Sequence, residues 1–148
     1  MSTQAQVQTA IEDEEFEREV LDAIDRWVER EVRPIAREYD QADKYPEELV
    51  EQMKELGLFG ATISREYGGL GLNAVTYAKL VSRICEVWMA PTGVFNSHLI
   101  MANAVERAGT EAQKAYFLPR FASGELRGGI GLTEPNAGTD LQSIKTVA

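Results

Sequence analysis

Gly131-Leu132-Thr133-Glu134-Pro135-Asn136-Ala137-Gly138-Thr139-Asp140 lies where the chain changes character. Before Gly124, apolar residues recur at helical spacing. From Leu126 to Thr133 the sequence is glycine-rich and apolar without helical period, which reads as a strand. Glu134 to Asp140 reads as a turn, and Leu141 to Ala148 alternates like the start of another strand. Pro135 and Gly138 favour turns and can leave successive backbone N–H groups facing an anion, with the hydroxyls of Thr133 and Thr139 beside them. Such a loop either holds a phosphate or the polar edge of a heterocycle, or is an ordinary β-turn. The residue chemistry leaves both open.

Upstream, Phe16, Val20, Ile24, Trp27, Val28 and Val32 form one helical stripe, opposite a face carrying Glu17, Arg18, Asp22, Asp25, Arg26 and Glu29. Residues 1–12 read as a flexible lead-in. Pro34 removes a donor and crowds the preceding turn, yet the spacing resumes at Ile35, Ala36 and Tyr39, which predicts a kink rather than an end. Pro46 opens a second helix with Glu47 and Glu48 at its positive end, and Gly57 stops it. Asn73 caps a third helix, with Leu72 and Tyr77 placed as a hydrophobic staple. A fourth runs from about Pro91 to Arg107. Thr110 and Gln113 make a capping box for a short fifth, at whose end Pro119 marks a stop or a fresh start. The predicted fold class is mainly α: an all-helical domain of about five helices over 13–124, then the first strands of a β domain over 125–148. Strands without a sheet leave unpaired edges, so Ala148 is expected to be an artificial or accidental end.

The net charge of −9 sets 24 acidic against 15 basic residues, which argues against nucleic acid and against an anionic membrane surface. One cysteine, Cys85, cannot form an intrachain disulfide, and with one histidine, His98, a structural zinc site is excluded. No apolar run reaches the length of a membrane span, and the N-terminus has neither a secretory pattern nor transit-peptide arginines, so the expected address is cytoplasmic. Cys85 sits on an apolar stripe and reads as packing, Trp27 and Trp88 as core anchors, and His98 as a capped or half-exposed helix histidine. Gly69-Leu70-Gly71-Leu72-Asn73-Ala74 fits a dinucleotide fingerprint in letters only. Arg65-Glu66-Tyr67 replaces the strand that should run into the first glycine, and the element after the following helix is another helix.

The 131–140 segment resembles the acyl-CoA dehydrogenase signature, in which Thr or Ser, Glu, Pro, two small residues, Gly, Ser or Thr, and Asp follow a glycine-rich strand. Glu66-Tyr67-Gly68-Gly69-Leu70-Gly71 is similar to the loop after the second helix of that family. Thr110-Glu111-Ala112-Gln113-Lys114, Phe117-Leu118-Pro119 and Ser123-Gly124-Glu125 resemble the segment leading into its β domain. The three motifs keep the family's order and spacing from about Asp13 onward.

The resemblance implies an N-terminal helical domain, a middle β-barrel-like domain and a C-terminal four-helix bundle, with FAD between the last two. The implied reaction is α,β-dehydrogenation of an acyl-CoA thioester, with an electron-transfer flavoprotein or similar acceptor reoxidising the flavin, in a homo-oligomer. Carried over by position, Ile130, Gly131, Leu132, Thr133, Glu134, Pro135, Asn136, Ala137, Gly138 and Thr139 contact the flavin. Leu132 and Thr133 meet the isoalloxazine, and Thr139 also meets the bound acyl-CoA. Many family members have Ser where Thr139 stands; Thr keeps the hydroxyl. Asp140 is expected to fix the turn. Phe95, Asn96 and Leu99 fall where the family lines its acyl cavity, although Phe95 and Leu99 also sit at plain core spacing. Glu134 is not the base. The family's base comes from the C-terminal domain and has no counterpart here, so residues 1–148 alone are expected to be inactive. An oxidase or monooxygenase of the same fold, and a non-catalytic helical interaction module, are the rival expectations.

Overall fold

The structure, a computed structural model, describes residues 3–147, with side-chain contacts from Asp13 onward. Met1 and Ser2 of the expected lead-in, and Ala148 at the end of the second expected strand, lie outside the described residues. Helix α1 (Thr3–Trp27) begins well ahead of the apolar stripe that announces it and covers the rest of the expected lead-in.

A five-residue π-turn, Val28–Val32, joins α1 to α2 (Arg33–Gln41), in which the Arg33 N–H reaches back to the Val28 carbonyl. Pro34 explains the wide turn. Its ring would press on the carbonyl of Arg30, and an extra residue in the turn relieves that contact while the helix continues. At the predicted kink the chain makes a π-turn, and α1 and α2 run on as one rod. Helix α3 (Glu47–Glu55) follows Pro46 and ends at Gly57, whose φ is 72°.

Two short 3-10 turns, Leu58–Gly60 and Arg65–Tyr67, bracket a loop that folds back on itself. The N–H groups of Leu70, Gly71 and Leu72 donate to the carbonyls of Gly60, Ile63 and Ala61, each at 2.9 Å. Gly69 permits this, since a Cβ there would stand 2.1 Å from the Ile63 oxygen. The donors a nucleotide phosphate would need are thus engaged by the protein's own backbone, which removes the dinucleotide reading physically.

Asn73 caps α4 (Ala74–Cys85), its Oδ1 accepting from the Val75 and Thr76 N–H groups at 3.0 Å. The Glu17 carboxylate on α1 accepts in turn from Asn73 Nδ2 and Thr76 Oγ1, locking the two helices together. Helix α5 (Ala90–Ala108) packs along α6 (Glu111–Ala122), which opens with the expected capping box of Thr110 and Gln113. Pro119 neither ends α6 nor restarts it. It sits inside the helix, where its missing N–H forgoes only the bond to the carbonyl of Ala115.

The core gathers where α3, α5, α6 and the first 3-10 turn meet, around Leu49, Met53, Leu58, Phe59, Phe95 and Leu118. Both tryptophans are buried with their N–H groups paired. Trp27 Nε1 donates to Gln52 Oε1 at 2.7 Å, and Trp88 Nε1 to Asp40 Oδ1 at 3.0 Å. The helical part of the expected fold is therefore present as five rods. The two expected strands are not. Residues 125–133 leave α6 without regular structure, the ladder contact is a lone bridge between Glu134 and Ala137, and Leu141–Ser143 is a 3-10 turn. A strand needs a neighbour for its N–H and C=O groups, and no other segment among the described residues runs beside 126–133.

Candidate functional site

The 131–140 segment folds as a tight turn on an extended approach. Glu134 and Ala137 exchange backbone hydrogen bonds, N–H to carbonyl, at 2.8 and 3.2 Å, with Pro135 and Asn136 at the tip. Ala137 is buried, and the rest of the segment faces out apart from half-buried Glu134. The apolar side chains of Ile130 and Leu132 are 40% and 51% exposed. The hydroxyls of Thr133 and Thr139 and the N–H groups of Gly131, Leu132 and Thr133 take no partner among the described residues.

Glu134 is fully engaged. Its Oε1 accepts from the Thr146 N–H at 2.7 Å and from the Thr146 hydroxyl, and its Oε2 accepts from the Lys145 N–H at 3.0 Å. These bonds, the Thr146 hydroxyl first, hold its carboxyl below the usual range. A carboxylate so satisfied is a poor base; its work is to tie 145–146 back to the turn. Asp140 also fixes local structure, its Oδ2 accepting from Ser143 Oγ.

The second group of expected site residues divides. Phe95 is fully buried and belongs to the core. Asn96 and Leu99 line a depression of about 210 Å³ with Thr62, Tyr77, Ile100 and Asn103. Tyr77 donates its hydroxyl to Asn96 Oδ1 at 3.0 Å, and burial pushes its phenol up to about 12, so it remains a neutral donor. In the sequence Tyr77 reads as a staple and as part of the apolar side of its helix, and Ile100 and Asn103 carry no functional signal of their own. The available signal was the outward stripe Gly93, Asn96, Ser97, Ile100, Asn103 and Ala104 on α5, too small and polar for a face packed in a core and too apolar for a fully solvated one. The 130–139 loop contributes no residue to this depression. Nor does it reach the larger one of about 690 Å³ between α2 and the start of α5, where Lys44 donates to the Tyr39 hydroxyl and Arg127 to that of Tyr45.

His98 overturns its expectation as a capped or half-exposed residue. It is 1% exposed, between the rings of Phe59 and Phe121, and each ring nitrogen has backbone partners. Two carbonyls and one backbone N–H satisfy it, none of which a sequence displays.

Against known proteins, residues 14–125 match the acyl-CoA dehydrogenase N-terminal domain. The chain is 38% identical over 130 residues to the short-chain specific acyl-CoA dehydrogenase of Clostridium acetobutylicum, covering 87% of this chain and 34% of the relative. It superposes on butyryl-CoA dehydrogenase from Megasphaera elsdenii with a TM-score of 0.79 at 30% identity, over 88% of this chain and 35% of that one. A chain in the electron transferring flavoprotein structure from Acidaminococcus fermentans, solved to study flavin-based electron bifurcation, gives 0.80 at 31%, over 87% and 34%. The chain thus spans about a third of the length of the relatives it matches. It belongs to the acyl-CoA dehydrogenase family.

Proposed function

We propose that this chain provides the helical domain and the first flavin-facing loop of an FAD-dependent enzyme that removes α and β hydrogens from an acyl-CoA thioester. The observation that carries the reading is the 130–139 loop. It presents uncovered apolar side chains, two hydroxyls and a run of backbone N–H groups without partners among the described residues, on a turn held rigid by Glu134. That donor set fits one wall of a site for a flat heterocycle with a polar edge. When bound, FAD supplies the hydride acceptor.

In this reading Leu132 packs against the ring system, Thr133 and the N–H groups of 131–133 hydrogen-bond its polar edge, and Ile130, Pro135, Asn136, Ala137 and Gly138 shape the turn around it. Thr139 orients the acyl-CoA. Asn96 and Leu99 border the acyl group, with Tyr77 holding the Asn96 amide in one orientation. Phe95 acts from behind them as core. No residue of 1–148 is assigned as the base that takes the α-proton, and these residues alone are expected to give no turnover.

The likeness to a chain of an electron transferring flavoprotein structure supports such a protein as electron acceptor. Homo-oligomeric assembly and a cytoplasmic address complete the proposal. Among the described residues no helix is long and apolar enough to cross a membrane.

Anaerobic mixing of the whole protein with a short saturated acyl-CoA tests this. The visible flavin absorption should bleach, with one enoyl-CoA formed per flavin. A preparation that holds FAD yet stays oxidised with acyl-CoAs of short, branched and long chain would refute the reaction.

A further inference from the structure

The His98 ring occupies a junction of three backbone segments. Its Nε2 lies 3.1 Å from both the Phe59 carbonyl, on the first 3-10 turn, and the Phe121 carbonyl, on α6. Its Nδ1 lies 3.1 Å from the N–H of Gly128, on the segment leading to the 130–139 loop. Two carbonyls around one nitrogen require an N–H there, and a backbone N–H aimed at the other requires a lone pair. One neutral tautomer, protonated at Nε2, meets both demands.

Gly128 is shaped for the contact. A Cβ there would stand 2.7 Å from Met101 Cγ, so any other residue would have to displace the Met101 side chain to bring this N–H so close to α5. The Phe59 and Phe121 rings meet the imidazole edge-on, with centroids 5.3 and 5.2 Å away, and fix its plane. We propose that His98, as the neutral Nε2–H tautomer, is a positioning residue that pins Gly128 to the helical domain and so sets where the 130–139 loop emerges. Its consequence for flavin rests on the reading of that loop given above; the tie itself does not.

A protonated ring would turn an Nδ1–H against the Gly128 N–H, donor against donor. The elements packed around the ring present it with carbonyls and phenyl groups rather than carboxylates. The charge that bears on it is the Arg127 guanidinium, which further disfavours a cation. Burial, the largest cause, lowers the histidine's pKa and outweighs the bonds to the Phe121 and Phe59 carbonyls, which raise it. The stabilisation from the neutral ring is complete above the ordinary histidine value of about 6.5. It is lost as pH falls from there to the lowered value.

Two readings on the whole protein test the tie. His98 is the single histidine of residues 1–148, so deuterium uptake at its imidazole C2, followed by mass spectrometry across pH, reports its ionisation. The uptake should be slow and titrate below about 6.5. Amide exchange of a peptide spanning 126–129 should be slow at neutral pH and, corrected for intrinsic chemistry, speed up in acid. H98Q keeps a donor for the carbonyls but removes the Gly128 acceptor, and exchange there should rise about tenfold, the equivalent of one hydrogen bond. H98N places an oxygen where Nδ1 stood, so protection should return without the acid response. A fast-exchanging imidazole that titrates at the ordinary value would overturn the proposal, as would unchanged protection in H98Q. The wild-type reading decides the matter even if both variants misfold. FAD affinity, measured in parallel, should fall in H98Q. Failure of the wild-type protein to bind FAD would refute the flavin reading and leave the His98 result intact.

Discussion

Glu134 accepts three hydrogen bonds from Lys145 and Thr146, and these hold its pKa down. A carboxyl with a depressed pKa contributes stability above its ordinary value, about 4.3, and loses that contribution as pH falls through the lowered one. Exchange at the 145 and 146 amides, corrected for intrinsic chemistry, should therefore accelerate in acid. In E134Q it should be fast throughout; wild-type rates independent of pH would show that the carboxylate does not hold the tail. Phe59 stands at the other extreme, fully buried and edge-on to His98. Phe59→Ala should cost about 3–5 kcal/mol, read as a lowered denaturation midpoint. A loss below about 1 kcal/mol would mean that the junction collapses around the gap. At this scale the sequence was a good guide to the tryptophans, which helical spacing put in the core. It was a poor guide to His98, because backbone carbonyls from two distant segments decide its state and no side-chain pattern marks them.

Helix boundaries followed from local chemistry. Asn73, the Thr110–Gln113 box and Gly57 each close or open a helix through contacts a few residues away, and those are readable in one dimension. Asn73→Ala should cost about 1 kcal/mol by thermal or chemical denaturation, with the change in exchange concentrated in the first turn of α4. It should cost more than Thr110→Ala, because Asn73 also binds Glu17 on α1; equal losses would refute that added tie. Pro34 and Pro119 show where local chemistry is ambiguous, since both remove a donor and both helices continue. The residues 126–133 show where it fails. Their composition suits a strand, but strand formation depends on a neighbour, and composition does not say whether one is present. In residues 1–148 prepared alone, limited proteolysis should cut within 129–133, between the His98 and Glu134 ties. Cleavage confined instead to the α6 end near Gly124 would show that the Gly128 tie does not hold.

At the scale of the molecule, the helices form a packed body from which the 128–147 segment extends, tied at Gly128 and closed on itself at Glu134. Such an arrangement presents the 130–139 loop on the outside of the helical body. The family was legible from three short motifs because their glycines, prolines and caps answer to local geometry. The uncovered face of α5 was less so, since Asn96, Ile100 and Asn103 acquire meaning only beside Tyr77 and Thr62. Whether the 130–139 loop forms a wall of the flavin site is read from amide exchange on the whole protein with and without FAD. Binding should slow exchange across 130–133 strongly, with the 145–146 amides unchanged. Protection by FAD elsewhere, with 130–139 exchanging as in the free protein, would contradict that role.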